Sequence, residues 1–246
     1  MPTLAVIGDI HAHFRNLDQV LDKLERLDAL DGVLLVGDVA QNPEWHRRNH
    51  PAELVGMQVS FDQILRRVRT RLDVPVLFVP GNHDPKDMPL WGNTDRRVSK
   101  IAGLSVYGVG GAGPDLFGLP YEWEESEIRA LTVPSVDILL CHSPPAGTAL
   151  DALITDGRHV GSAAIRDLAE AHAGLLVCGH IHEGAGAELL GRCLCLNVGG
   201  LGEPHGHPRV GVVHIEMAQG EGTIEAVLHD LEAGTHQTWT HRYSRD

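Results

Sequence analysis

The sequence predicts an α/β fold in which helices cover the outer faces of β-sheets. Short, continuous apolar runs with β-branched residues are typical of strands that are buried on both faces. Between several of these runs, apolar residues recur at intervals of three and four, as they do on the buried side of a helix. This strand–helix–strand alternation favours sheets with helices outside them.

Five apolar runs are predicted as strands, and each ends in a turn or a polar cluster. They are residues 4–7, 33–36, 76–79, 138–141 and 175–178. Helical spacing occurs over residues 17–27, 61–68 and 163–171.

The last third of the chain has a different pattern. Residues 209–215, 223–231 and 236–243 alternate between apolar and polar without a helical period. Such alternation predicts antiparallel strands that extend the sheet system. Because no Pro/Ser-rich linker, charge block or internal repeat divides the chain, we expect a single domain over residues 1–246.

The chain is acidic and rich in histidine. Asp and Glu number 33 against 20 Lys and Arg, so the formal net charge of the 246 residues is −13. Broad basic surfaces are what bind nucleic acid or anionic membranes, so this balance argues against such partners but not against a small anionic substrate. The 16 histidines outnumber Phe, Tyr and Trp together. Because imidazole is the commonest metal ligand, the composition raises the question of a metal site.

The four cysteines do not form a disulfide framework in a chain of this length. Cys193 and Cys195 lie in an alternating apolar run, residues 189–198, where both thiols share one face of a strand; we interpret them as buried core residues. The N-terminus has no signal-peptide pattern, and no apolar stretch reaches the roughly 20 residues of a membrane span. We therefore expect a cytoplasmic protein without a membrane partner.

Every predicted strand ends in residues that can bind a metal or transfer a proton. These residues are Asp9, His11, Asp38, Asn82, His83, His142, His180 and His182. In open α/β sheets, ligands bind outside the carboxyl ends of strands, so the five ends can form one site. Any one of these residues is equally well explained by turn chemistry or by a satisfied core histidine. Turn chemistry does not explain histidine at four of five strand ends.

In this order, the motifs resemble those of the calcineurin-like metallophosphoesterases. They read Gly8-Asp9-Ile10-His11, Gly37-Asp38, Gly81-Asn82-His83-Asp84, Cys141-His142 and Gly179-His180-Ile181-His182. The resemblance covers about residues 4–200. It implies two mixed β-sheets packed as a sandwich and flanked by helices, with two divalent ions (Mn, Fe or Zn) at the strand ends.

The resemblance also implies a role for each motif residue. One ion would be held by Asp9, His11, Asp38 and His182. The other would be held by Asp38, Asn82, His142 and His180, so that the Asp38 carboxylate bridges the pair. Two ions roughly 3.5–4 Å apart clamp a phosphoryl group and acidify a bridging water, which attacks as hydroxide. His83 is then placed to protonate the leaving oxygen as a general acid.

Three departures separate the sequence from the phosphatase branch of the family. Phosphoprotein phosphatases and symmetrical dinucleotide tetraphosphatases usually carry Gly after the first histidine, Asp-Arg-Gly in the second motif and Glu after Asn-His. Here Ala12, Gln41-Asn42-Pro43 and Asp84 stand at these places. Gln41 replaces an Asp that commonly orients the catalytic histidine, and an amide cannot stabilise imidazolium as a carboxylate does. Gln41 and Asp84 are expected to lie behind the ligands.

A second, local resemblance favours small phosphodiesters as substrates. The stretch from His142 to Pro145, with Asp151 and His182-Glu183-Gly184, resembles a small phosphodiesterase-type branch. Residues 197–200 resemble a turn that often follows Gly-His-x-His, which we expect on the rim of the pocket. His13, His205 and His207 are assigned to solvated loops, with an approach to the mouth of the pocket as the alternative. Four alternatives stay open: a phosphomonoesterase, a protein phosphatase, a nuclease, or a catalytically silent metal-binding scaffold like the retromer member of the superfamily.

Overall fold

Two six-stranded β-sheets form the centre of the protein. The computed structural model describes residues 1–202, 204–218 and 220–244. In chain order, the strands are β1 (Thr3–Ile7), β2 (Gly32–Leu35), β3 (Val76–Phe78), β4 (Val98–Ile101), β5 (Leu104–Val109), β6 (Ile138–Cys141), β7 (Ala173–Cys178), β8 (Gly186–Leu190), β9 (Arg192–Asn197), β10 (Arg209–Ala218), β11 (Glu221–Asp230) and β12 (Thr235–Ser244). The α-helices are α1 (Phe14–Leu24), α2 (Pro51–Leu72), α3 (Glu125–Arg129) and α4 (Ala163–Ala171). Short 3-10 helices lie at Trp45–Arg47, Ala149–Asp151 and His182–Gly184.

Both sheets are mixed. The first has the strand order β12-β11-β10-β1-β2-β3, in which β1, β2 and β3 run parallel. The three C-terminal strands form an antiparallel meander that pairs with β1, which confirms the prediction for the last third of the chain. The second sheet has the order β4-β5-β6-β7-β9-β8, with a parallel centre and an antiparallel strand at each edge.

Side chains alternate between the two sides of each sheet, and this produces four layers. In β1, Leu4 and Val6 pack between the sheets, whereas Ala5 and Ile7 pack against α1 and α2. In the second sheet, the outer side chains, such as Leu176, pack with α3 and α4. The order helix–sheet–sheet–helix confirms the predicted fold class, and the period of two within each strand is its cause.

The three predicted helices are present, and only α4 has the predicted bounds. The chain leaves α1 after Leu24, and α2 begins ten residues before Phe61. Pro51 stands in the first turn of α2, where its missing N–H costs nothing, and Asp73 closes the helix in a left-handed conformation. Within the described ranges, none of the helices has the length and apolarity that crossing a membrane requires.

The apolar run 189–198 is not one strand. Gly191, with φ +57°, turns the chain between β8 and β9, so the run is split across a hairpin. Cys193 and Cys195 nevertheless lie in one strand with their sulfurs 3.9 Å apart, and the four cysteines are free and buried in the layer beneath α3 and α4. The interpretation of these cysteines as core residues is confirmed.

Candidate metal centre

The candidate ligands lie in loops that directly follow strands of both sheets. Asp9, His11, Asp38 and Asn82 follow β1, β2 and β3, whereas His142, His180 and His182 follow β6 and β7. The two groups meet because the backbone N–H of His180 donates to both carboxylate oxygens of Asp9, each at 3.0 Å. The sheets therefore bring their carboxyl ends to one place, as the sequence predicts.

Four of these residues have a left-handed backbone, which is uncommon outside glycine. The φ angles are +47° at Asp9, +45° at His11, +49° at Asp38 and +66° at His180. Such a conformation costs roughly 1–2 kcal/mol for a residue with a Cβ atom. Strain of this kind concentrates at functional sites, where the required position of a side chain forces the backbone into an unfavourable conformation.

The two carboxylates lie among the histidines. Asp9 Oδ1 is 3.4 Å from His182 Nε2. Asp38 Oδ2 is 3.7 Å from His11 Nε2, while Asp38 Oδ1 is 3.6 Å from His142 Nε2. The two oxygens of Asp38 thus face two different histidines, which is the arrangement that a carboxylate shared by two ions requires.

Asn82 and His180 complete the cluster. Asn82 Oδ1 is 2.9 Å from His142 Nε2, and the ring centroid of His180 is 5.0 Å from that of His142. Three sets of side chains bring their ligand atoms within 4.8 Å of one another: Asp9 with His11 and His182, Asp9 with Asp38 and His142, and His11 with Asp38 and His83. All seven candidate ligands therefore lie in one cluster, although His180 belongs to none of these three sets.

The charges of the cluster suit cations. Asp9 and Asp38 are 0% and 2% exposed, and in the described part of the chain neither pairs with a Lys or an Arg. Burial alone would raise the pKa of the Asp38 carboxyl, but the surrounding histidines, His142 first, hold it below its ordinary value. Among the described residues, the positive charge that faces Asp9 can come only from a histidine, His182, whose proton a metal ion would replace. The site therefore fits one or more metal ions.

The histidines have protonation states that differ with their neighbours. Burial lowers the pKa of His180 to about 3 and also lowers the pKa of His11, so both rings are neutral and able to ligate. Burial acts in the same direction on His182, but the carboxylate of Asp9 outweighs it and raises that pKa to about 9. His182 would have to lose its proton to ligate. Neutral imidazoles with carboxylate and amide oxygens then form a mixed donor set, which suits Mn, Fe or Zn.

Glycines allow the ligands to pack against the backbone. A Cβ atom at Gly81 would overlap Asp38 Oδ1, and one at Gly179 would overlap Asp9 Oδ2. At Gly200, a Cβ atom would lie 2.6 Å from the His182 ring. Side chains at these positions would therefore displace the ligands.

His83 lies beside the cluster. Its backbone N–H donates to Asp38 Oδ1 at 2.8 Å, and its ring meets that of His11 edge-on with centroids 5.4 Å apart. The ring lines a cleft of about 300 Å³ together with candidate ligands that include His11, Asp38 and His182. Its Nδ1 atom is buried without a hydrogen-bond partner among the described residues.

The two residues expected behind the ligands differ in position. Asp84 is fully buried, and it accepts hydrogen bonds from the backbone N–H groups of Val39, Ala40 and Gly81. Burial and the nearby Asp38 raise its pKa to about 6. Gln41 is exposed, and within the described ranges its side chain makes no hydrogen bond to His83.

One sequence expectation about a neighbouring residue is corrected. Asn197 does not lie on the rim: it is buried, and its amide nitrogen donates to the carbonyl groups of Leu150, Gly179 and Ile181. The side chain thereby holds the loop that carries His180 and His182. No pattern in a single sequence distinguishes such a buried clamp from an ordinary turn asparagine.

The three histidines assigned to solvated loops have three different environments. His205 is exposed in a loop, as assigned, and it also lines the mouth of the cleft of the candidate metal centre. His207 lines a neighbouring cleft, and its Nδ1 lies 2.8 Å from Glu232. His13 accepts a hydrogen bond from the backbone N–H of Asn16 and so caps α1.

Comparisons with known proteins agree with the fold. A family model described as calcineurin-like phosphoesterase matches residues 2–184. An uncharacterized protein of Methanocaldococcus jannaschii is 34% identical over 136 residues; the match covers 50% of this chain and spans 62% of that relative's length.

Solved structures resemble the chain over nearly its whole length. One crystal structure has a TM-score of 0.67 at 16% identity and covers 97% of this chain and 99% of its own. Vps29 of Entamoeba histolytica, as a single mutant, has a TM-score of 0.46 at 19% identity and covers 98% and 99%. A Streptococcus pneumoniae protein described as a predicted phosphoesterase has a TM-score of 0.43 at 15% identity and covers 97% of both. At 16% identity, the likeness to the structure with the TM-score of 0.67 is one of fold.

Proposed function

Because the chain belongs to the calcineurin-like phosphoesterase family, we propose that it is a two-metal phosphoesterase that hydrolyses small phosphodiesters. The proposal depends chiefly on one observation: two buried carboxylates converge with histidines in one cluster and pair with no Lys or Arg of the described chain. Metal ions would take the place of the histidine protons that these carboxylates otherwise attract.

We assign the ligands to two ions. The first would be held by Asp9, His11, Asp38 and His182. The second would be held by Asp38, Asn82, His142 and His180. When bound, such a pair of cations polarises the phosphoryl oxygens and lowers the pKa of a water that serves as nucleophile. The two oxygens of Asp38 face different histidines, and this supports its assignment to both ions.

The side chains of this site have two tasks beyond holding the ions. Asp9 and Asp38 bring two negative charges against four positive ones, so the site keeps a positive charge for a phosphate ester. His83 lines the cleft and has an unpartnered ring nitrogen, which supports its role as the general acid that gives a proton to the leaving oxygen. The hydrogen bond from its N–H to Asp38 fixes the distance between the acid and the ions.

Charge and size favour a small diester. The net charge of −13 repels a polyanion, and no extended basic surface counters it in the sequence. A cleft of about 300 Å³ lies at the lower end of the range for small-molecule sites. A phosphodiester with two small substituents carries only one negative charge and is small, so it is compatible with the acidic protein and with the volume of the cleft.

Metal analysis and hydrolysis assays test the proposal together. We expect about two transition-metal ions per chain and Mn²⁺-dependent hydrolysis of bis(4-nitrophenyl) phosphate. Asp38→Ala should lose both, because Asp38 is assigned to both ions. Asp62→Ala is the matched control, since Asp62 pairs with Arg66 on the surface of α2.

The outcomes separate the alternatives. Fewer than about one ion per chain together with no hydrolysis would contradict the enzyme proposal. Bound metal without hydrolysis of any diester or monoester would favour the silent scaffold. Faster hydrolysis of 4-nitrophenyl phosphate than of the diester would favour a phosphomonoesterase.

A further inference from the structure

A second cleft of about 260 Å³ adjoins the candidate metal centre. Glu183 and His205 line both clefts, so the two share a wall. The second cleft continues over the end of the C-terminal meander, where Arg209 begins β10, Asp230 ends β11 and Thr235 begins β12. A molecule whose phosphorus lies at the metal centre can therefore extend one substituent into this cleft.

The charges of the second cleft exclude another anion. Among its described lining residues, Arg209 is the one with a permanent positive charge, and its Nε donates to Asp230 at 3.0 Å. Both members of this pair are largely buried, at 19% and 20% exposure. Glu183 adds a carboxylate that has no Lys or Arg partner within the described ranges and accepts a hydrogen bond from the backbone N–H of Ile154. A second phosphate or a carboxylate would meet this negative charge.

Several side chains of the second cleft have hydrogen-bond donors and acceptors without a partner in the described chain. Arg209 uses Nε for Asp230, and its two terminal nitrogens make no hydrogen bond in the described chain. The side chains of Thr235 and Gln237 likewise have no hydrogen-bond partner there. Leu228, which is buried, and Ile154, which is exposed, add carbon surface. A hydroxyl group both donates and accepts, so it can use guanidinium, amide and carboxylate groups alike.

We propose that this second cleft binds a neutral, hydroxylated substituent of the substrate, with the dimensions of a single sugar ring. The inference depends on the proposed function and narrows it, because it makes the substrate a phosphate ester of a sugar-like alcohol. Arg209, Thr235 and Gln237 are the residues that determine specificity.

Two diesters that release the same leaving group test the inference. Both are 4-nitrophenyl phosphodiesters; the second substituent is a methyl riboside joined through its 5-oxygen in one, and cyclopentylmethyl in the other. We expect kcat/KM to be about tenfold higher for the riboside, the effect of two hydrogen bonds of ordinary strength. The readout is the ratio of the two kcat/KM values, so a general loss of activity cannot imitate the result.

Variants at the exposed start of β12 test whether the preference for the riboside arises in the second cleft. The double variant Thr235→Ala, Gln237→Ala should bring the ratio to within about twofold of one. Thr238→Ala is the matched control, because Thr238 lies on the same strand but does not line the cleft. Equal kcat/KM for both esters in the unaltered protein, or a ratio that the double variant leaves unchanged, would overturn the inference.

A binding measurement separates failure of this inference from failure of the proposed function. Saturation-transfer NMR with methyl riboside alone should show contact in the unaltered protein and in Thr238→Ala, and much less in the double variant. If the metal-loaded protein hydrolyses neither ester nor bis(4-nitrophenyl) phosphate, the phosphoesterase proposal fails. The NMR experiment still tests whether the second cleft binds a sugar. Equal saturation transfer in all three proteins, or none in any, would contradict sugar binding there.

Discussion

Asp84 Oδ1 accepts a hydrogen bond of 2.9 Å from the backbone N–H of Ala40, and this contact joins two loops that follow different strands. The same carboxylate accepts from Val39 at 3.1 Å and from Gly81 at 2.8 Å. Because Val39 and Ala40 directly follow Asp38, the position of the shared carboxylate depends on Asp84.

Asp84→Ala should therefore weaken both the fold and metal binding. The substitution leaves three buried N–H groups without an acceptor, and we expect the free energy of unfolding to fall by about 3 kcal/mol. Loss of a group that orients a ligand typically costs 10–100-fold in metal affinity, roughly the effect we expect here. Urea unfolding and metal titration measure the two effects. Asp87→Ala, at an exposed position in the same loop, should change stability by less than about 0.5 kcal/mol.

Gly81→Ala should abolish metal binding and also weaken the fold. The added Cβ atom would overlap both Asp38 Oδ1 and the Asp38 backbone nitrogen, so the carboxylate and its loop must leave their position between His11 and His142. Gly56→Ala is the control: it lies within α2 and meets only the Gln41 side chain, at 3.7 Å. That variant should keep its metal and gain about 0.5–1 kcal/mol of stability. Equal metal content in the two variants would contradict the packing argument.

His83→Ala distinguishes a general acid from a structural histidine. With methyl phenyl phosphate, whose leaving group needs a proton, we expect kcat to fall by about 100-fold or more. With methyl 4-nitrophenyl phosphate the loss should be much smaller, because 4-nitrophenolate leaves unprotonated. His46→Ala, at an exposed position, should match the unaltered protein on both esters. Full activity of His83→Ala on the phenyl ester would remove the proposed role.

Asn197→Ala should loosen the loop that carries His180 and His182. Its three donated hydrogen bonds end on buried carbonyl groups, so we expect unfolding to become easier by about 2–3 kcal/mol and metal affinity to fall with it. Asn49→Ala removes a single exposed hydrogen bond to Gly118 and should have little effect on either measurement. Unchanged metal affinity in Asn197→Ala would show that the loop holds its shape without the clamp.

Asp151 should make part of the stability depend on pH. Burial alone would raise its pKa, but His159 Nδ1 at 2.7 Å and the N–H groups of Gly147, Thr148 and Gly161 hold the pKa below the ordinary value of 3.8. A lowered pKa contributes stability above the unfolded value, and this contribution is lost as the pH falls through the folded value.

The comparison of Asp151→Asn with the unaltered protein measures this contribution. Near pH 6 the variant should be less stable by about 2 kcal/mol, and the difference should shrink as the pH falls below about 4. Urea unfolding at several pH values gives the two curves. A difference that stays constant between about pH 6 and pH 3 would contradict the assignment, because an uncharged hydrogen bond does not titrate.

The amino-acid sequence predicts most of the buried strands and the candidate ligands at their carboxyl ends. Strands such as β1 and β7 are continuous apolar runs, and this signal needs no knowledge of their neighbours. β4, β5 and most of β8 are not predicted. β4 and β8 are partly exposed edge strands without a continuous apolar run, and in β5 Ser105 and Gly108 interrupt the run. α3 was missed because five residues do not make a helical period.

The local geometry of the site could not be predicted in the same way. Asn197 serves as a clamp only because β9 lies next to β7, and a pairing of that kind is a long-range property. His205 enters the cleft through a loop with φ +60° that no local pattern indicates. The second cleft exists because β10, β11 and β12 end beside the metal centre. The residue types of the candidate ligands can thus be read from the local sequence. The shape of the clefts around them depends on contacts between distant segments.

The left-handed backbone at Asp9, His11, Asp38 and His180 positions the candidate ligands at a cost in folding stability. Replacing any one of them by glycine would delete a candidate ligand and release roughly 1–2 kcal/mol of strain. At Asp9 and Asp38 it would also leave the N–H groups of His180 and His83 without an acceptor, which offsets the release of strain. The rings of His11 and His180 make no hydrogen bond in the described chain, so replacement there is less costly. A lineage that kept the sandwich for another purpose would be expected to lose these two ligands first, and glycine would be the residue to look for in their place.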